Sequence, residues 1–145
     1  MPNVYISSVI PVPVERVWSM IRDFNGLPNW TSFVMESRIE EGLPADKIGC
    51  VRAFQLQDGG FIREKLLALS DYDYSFSYAI LESPMGVENY IATVKLLPIT
   101  DGGRTFAEWS AEFDCASARE DELVAHIGNN VFQSGLNTLK ERVGA

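Results

Sequence analysis

From residue 49 to residue 99, apolar and polar side chains alternate in four short runs separated by turn-forming residues, which predicts four consecutive antiparallel strands. The turns fall at Asp58-Gly59-Gly60, Ser70-Asp71-Tyr72-Asp73 and Ser83-Pro84-Met85-Gly86. Strand side chains alternate with a period of two, so placing one residue on a face places its neighbours too. With Phe54 and Leu56 inside, Arg52 joins them. With Ile62 and Leu66 inside, Glu64 lies between them, and with Ile80 inside, Tyr78 follows. Continued along the chain, the inner face receives Tyr90, Ala92, Phe106 and Glu108. A face that mixes Arg, Glu and Tyr with aliphatics is poor core material and suits the lining of a pocket.

Residues 3–10 (NVYISSVI) predict a first strand, broken by Pro11 and Pro13. VERVWSMIRDF then carries Val14, Val17, Trp18 and Ile21 on one helical stripe, ending at Asn25-Gly26. LPNWTSF predicts a short second helix or turn, and MESRIEEG a strand running into a turn at Gly42 and Pro44. A turn at Asp101-Gly102-Gly103 leads to the last strand, RTFAEWSAEFD. Ser117 and Glu120 have capping-box spacing. They open a long helix with Leu123, Val124, Ile127, Val131, Phe132, Leu136 and Leu139 on its apolar stripe. The order is strand, two short helices, six strands and a long helix, an α+β arrangement in one domain over 1–145. A curved antiparallel sheet cannot bury its concave face alone, and the long helix is its cover. Gly128 and Asn129 lie one turn from Val124 and Phe132 and are expected to face the cavity. Small residues there leave room for a ligand or allow close helix–sheet packing. Of the tryptophans, Trp18 and Trp109 suit core or rim positions, and Trp30, in irregular chain, is expected at a pocket mouth.

The net charge of -8 argues against nucleic acid and against docking on anionic lipid. No apolar run approaches the roughly 20 residues of a membrane span. The N-terminus has no basic leader, so a cytoplasmic location is expected. Cys50 and Cys115 fit a reduced protein. His126 is the only histidine, and without a Cys/His cluster no metal is implied. The glycine pairs fit hairpin turns rather than a phosphate loop, so no cofactor is expected either. The chemistry therefore rests on the inward polar residues. Arg52 should pair with Glu64 across the Asp58-Gly59-Gly60 hairpin, since unpaired buried charge is costly. One Arg cannot neutralise Glu108 as well, which would leave that carboxyl with a raised pKa. Three uses follow: an ion pair that fixes register, an anchor for a ligand, or acid/base catalysis by Glu64, Glu108 and Tyr90.

The runs IPVPVERVWSMIRDFNGLPNW (10–30), Gly49 with Arg52, DGGFIREKLLALSD (58–71), Tyr90 and FAEWSAEFD (106–114) resemble the START-like helix-grip superfamily (SRPBCC), and within it the polyketide cyclase/dehydrase family. The resemblance covers essentially the whole chain. It implies a seven-stranded curved sheet gripping the last helix, with a cavity between them for a lipid, polyketide or other hydrophobic small molecule. The region around Glu64-Lys65-Leu66, Asn89-Tyr90 and Glu108-Trp109 also looks like the pocket of the plant abscisic acid receptors, in which the corresponding Glu, Tyr and second Glu line the site. The receptors' gate loop is replaced here by a short turn, and their ligand-anchoring Lys falls at about Thr31, so a carboxylic acid ligand is not implied. The expected lining is Arg52, Phe54, Leu56, Ile62, Glu64, Tyr78, Ile80, Tyr90, Ala92, Glu108, Val124, Gly128, Asn129 and Phe132. The functions in view are a small-molecule carrier, a cofactor-independent cyclase or dehydrase, and a protein-interaction module with a collapsed cavity.

Overall fold

A computed structural model describes residues 1–144. Its elements are β1 (Asn3–Ile10), α1 (Val14–Ile21), α2 (Leu27–Trp30), β2 (Val34–Ile39), β3 (Val51–Leu56), β4 (Phe61–Ser70), β5 (Ser75–Glu82), β6 (Glu88–Ile99) and β7 (Arg104–Asp114). The C-terminal helix then runs through a 3-10 turn (Ser117–Arg119), α3 (Glu120–Ala125), a π-helical segment (His126–Gln133) and α4 (Ser134–Val143).

The strands form one seven-stranded antiparallel sheet in the order β1-β7-β6-β5-β4-β3-β2. Strands β2 to β7 are a meander, which short turns between neighbours make the natural topology. The turn residues predicted from sequence occupy each connection from β3 to β7. In the β3–β4 turn Gly59 has φ of 93°, a conformation that glycine adopts without a steric penalty. The fold is the helix grip: the C-terminal helix lies on the concave face, while α1 and α2 carry the chain from β1 at one edge to β2 at the other.

Val14, Val17, Trp18 and Ile21 bury the predicted stripe of α1. A polar clamp fixes this helix to the β4–β5 turn: the indole of Trp18 donates to Asp71 Oδ1 at 2.7 Å, and Arg22 donates to Oδ1 at 2.7 Å and to Oδ2 at 3.1 Å. Arg22 and then Trp18 hold the Asp71 carboxyl below the ordinary Asp value of 3.8. A carboxyl with a depressed folded-state pKa gives stability that is present above the ordinary value and lost as pH falls through the folded value. Asp71→Asn is therefore expected to flatten the acid limb of the stability curve. Urea midpoints measured above and below pH 3.8 check this, and an unchanged slope would contradict the clamp.

The helix start departs from the sequence expectation. Ser117 and Glu120 form no capping box; no side-chain cap bond is made at either helical start. The 3-10 turn occupies early backbone donors instead, with Arg119 N–H on the Ala116 carbonyl and Glu120 N–H on that of Ser117. Arg119 donates to the Met85 carbonyl at 2.6 Å and to Glu122 at 3.1 Å, tying the helix start to the β5–β6 connection.

Candidate functional site

Between the concave face and the C-terminal helix lies a cavity of about 350 Å³. Its inner end is polar. Arg52 on β3 and Glu64 on β4 are direct cross-strand partners, as the tight hairpin requires. Arg52 Nε donates to Glu64 Oε1 at 2.8 Å, Nη2 contacts the same oxygen at 2.7 Å, and Nη1 donates to the Phe24 carbonyl at 3.1 Å. The guanidinium lies 4.0 Å from the Phe24 ring centroid and 4.8 Å from that of Tyr78. The side chains of the pair are 2% and 7% exposed, so neither charge relies on bulk water. Burial raises the Glu64 carboxyl, and the guanidinium opposes that rise.

Two phenols extend this polar end. Tyr78 on β5 accepts a 3.0 Å bond from Trp109 Nε1 on β7. Tyr90 on β6 is aimed inward by a bulge: the pairing jumps between Glu88/Asp114 and Ile91/Glu112, and Asn89 takes φ of 52°. Asn89 Nδ2 donates to Asp114 Oδ2 at 2.9 Å and pins the irregularity. Desolvation raises the pKa of both phenols well above the ordinary tyrosine range, so both keep their protons.

Phe54, Leu56, Ile62 and Ile80 supply the apolar wall expected from their strands, and Leu27, Phe33, Ile127 and Val131 complete it. The rim is made by Gln57 and Asp58 of the β3–β4 turn, Pro84 and Met85 of the β5–β6 connection, and His126 and Asn130 of the π-helical segment. His126 Nδ1 and Asn130 Nδ2 are 3.1 Å apart.

Several expected lining residues lie elsewhere. Glu108 and Phe106 belong to the opposite face of β7, where Glu108 Oε1 accepts a 2.6 Å bond from the exposed Tyr5 hydroxyl. The inner face carries Thr105, Ala107, Trp109, Ala111 and Phe113, all buried. A one-residue difference in parity exchanges the two faces of a strand. The alternation Ala107-Trp109-Ala111-Phe113 was the signal for the observed choice. Ala92 is inward as expected, yet packs in the core away from the cavity wall.

The helix presents a different face from the expected one. Gly128 turns to β1, where an added Cβ would meet Val4 Cγ1 at 3.6 Å and Ile6 Cδ1 at 3.8 Å. Phe132 is fully buried and stacks on Trp109 at 4.3 Å, Asn129 is exposed, and Val124 is half-buried away from the cavity. His126, Ile127, Asn130 and Val131 take the cavity side. The i→i+5 bonding of His126–Gln133 widens the helical turn, and a face assigned with α-helical spacing is shifted in phase there.

Trp30 is not at the mouth. It is 1% exposed, 5.6 Å from Trp109 in ring centroids, and its Nε1 has no acceptor among the described residues. Gly135 makes this stack possible: an added Cβ would lie 2.8 Å from Trp109 Cζ3. Gly135→Ala should gain about 1 kcal/mol of helix propensity and lose about 1–3 kcal/mol to overpacking. A lower Tm with an altered near-UV tryptophan signal is expected, and a higher Tm would contradict the close approach.

This arrangement, a helix-grip sheet with an apolar cavity and a buried polar end, defines the class. The chain belongs to the family described as polyketide cyclase/dehydrase and lipid transport, whose model matches residues 1–144. Among solved structures it is similar to the protein XoxI from Bacillus cereus, with 28% identity and a TM-score of 0.87 over 97% of this chain and 94% of that one. It is also similar to an uncharacterized protein from Bacillus thuringiensis, with 27% identity and a TM-score of 0.88 over 99% of both chains. A Thermobifida fusca protein shows 27% identity and a TM-score of 0.88 over 99% of this chain and 94% of that one. No described helix is long and apolar enough to cross a membrane.

Proposed function

We propose that this protein binds a hydrophobic small molecule in the cavity beneath its C-terminal helix and carries it without chemical change. The observation that supports this reading most is the cavity itself. Its volume of about 350 Å³ lies within the range of ligand sites. It joins an apolar wall to a few convergent polar groups, the usual composition of such sites. Ligand contacts are assigned to Arg52, Phe54, Leu56, Ile62, Glu64, Tyr78, Ile80 and Tyr90, with Val131 and Trp109 added.

Binding is favoured over cyclase or dehydrase turnover by the polar end. Acid/base chemistry on a carbon acid needs a group free to exchange a proton at working pH. Glu64 is engaged by Arg52, and Glu108 bonds to Tyr5 on the other side of the sheet. The phenols are held protonated.

Native mass spectrometry tests the proposal. The purified protein is expected to carry a small-molecule adduct that organic extraction removes and incubation with an extract of the producing cells restores. Val131→Trp, which fills the cavity from the helix side, should lose the adduct while remaining folded. Bare protein before and after incubation would overturn the proposal.

A further inference from the structure

We propose that the cavity selects ligands whose buried end is a neutral hydrogen-bond donor, a hydroxyl above all, and discriminates against carboxylate-headed molecules with the same apolar part. The inference rests on reading the cavity as a ligand site.

The inner end carries one cation, and that cation is already occupied. Each of the three nitrogens of Arg52 contacts an acceptor, two on Glu64 Oε1 and one on the Phe24 carbonyl. Its planar surface lies close to the rings of Phe24 and Tyr78. No other Lys or Arg lines the cavity or its rim. A carboxylate brought to this end finds no unused positive group.

What remains open is an acceptor. Both Arg52 contacts converge on Oε1 of Glu64, and Oε2 receives no hydrogen bond from any described residue. It is not among the fully enclosed polar atoms without a partner, so it is accessible from the cavity. A ligand hydroxyl can donate to Oε2 in a charge-assisted bond. A ligand carboxylate would instead set two like charges together away from water, which is unfavourable unless one takes up a proton. The Tyr90 hydroxyl, beside that of Tyr78 at this end of the cavity, can turn its proton to the oxygen of the same ligand hydroxyl. Glu64 and Tyr90 together thus match a group that both donates and accepts. The other end of the cavity, with Phe33, Leu56, Ile80 and Val131, suits the apolar remainder.

The test uses the full chain and two probes that differ only at the head: para-pentylphenol and para-pentylbenzoate, titrated at neutral pH against tryptophan fluorescence. Trp109 lines the cavity and supplies the signal. The phenol is expected to bind at least about tenfold more tightly, the effect of one hydrogen bond to a charged group. Glu64→Gln, which exchanges the anionic acceptor for an amide, should narrow that ratio. Should this variant fail to fold, the comparison on the native protein is still decisive. Equal or tighter binding of the benzoate would overturn the selectivity and leave the binding site standing. Binding of neither probe, in fluorescence or by calorimetry, would overturn the site and the inference with it.

Discussion

Glu64→Ala is expected to lower the free energy of unfolding by about 3–5 kcal/mol, because it strands the buried charge of Arg52. The guanidinium is 2% exposed and its remaining protein acceptor is the Phe24 carbonyl. The Phe24 carbonyl alone cannot balance the charge that the carboxylate leaves behind. Urea denaturation of the purified variant measures the effect, and a change below about 1 kcal/mol would show that the pair is not a desolvated one. The double variant Arg52→Met/Glu64→Leu separates the two contributions. It removes both charges and keeps similar volume, so it should recover most of the loss, as replacing a buried ion pair by apolar side chains often does. Its ligand binding should nevertheless fail, because the polar end of the cavity is gone. Recovered stability with unchanged binding would refute the role given to this pair.

Trp109→Ala should cost about 3–5 kcal/mol, the range for deleting a large buried aromatic. The indole is 2% exposed and fills the space between the sheet and the C-terminal helix. It stacks on Phe132 at 4.3 Å, lies against Trp30 at 5.6 Å and meets the backbone of α4 at Gly135. Its loss leaves a hole in the middle of the helix–sheet contact and removes the donor to Tyr78. Trp109→Phe keeps most of the aromatic packing and loses that hydrogen bond, for which about 1 kcal/mol is expected beyond the packing change. Thermal and urea unfolding of the two variants should rank them in that order. Equal losses would mean that the hydrogen bond, not the packing, dominates at this position.

Much of the architecture was legible from local chemistry. The first strand, Asn3–Ile10, and the turns after β3, β4, β5 and β6 lie where Pro, Gly, Asn and Asp interrupt the alternation. Those residues act on the backbone over two to four positions, and a distant partner changes little there. The same holds for the pair at the heart of the site. Arg52 and Glu64 oppose each other because a tight turn sets the register of its hairpin, and period two then directs both side chains to one face. Tyr78 and Tyr90 were placed on that face by the same rule, although the bulge at Asn89 that delivers Tyr90 carried no clear sequence signal.

Glu108 shows that period two alone does not choose the face of a strand: counted with Phe106 it falls inward, and β7 takes the opposite parity. The Ala-Trp-Ala-Phe alternation of β7 favoured the observed parity, since Trp109 and Phe113 gain far more by burial than Phe106 alone. Other features had no local signal. Which side of the C-terminal helix meets the cavity depends on the close approach of Gly128 to Val4 and Ile6, on the Phe132–Trp109 stack, and on the wide turns of His126–Gln133. Trp30 was drawn inward by a space that Gly135 leaves free more than a hundred residues later. The strands, their order of pairing in the meander and the buried Arg52–Glu64 couple follow from backbone periodicity and turn closure, which are local properties of the chain. The cavity's rim, its helix-side wall and its open carboxylate oxygen have no such local origin. Those are products of how sheet and helix pack, a balance of contacts among residues far apart in the chain.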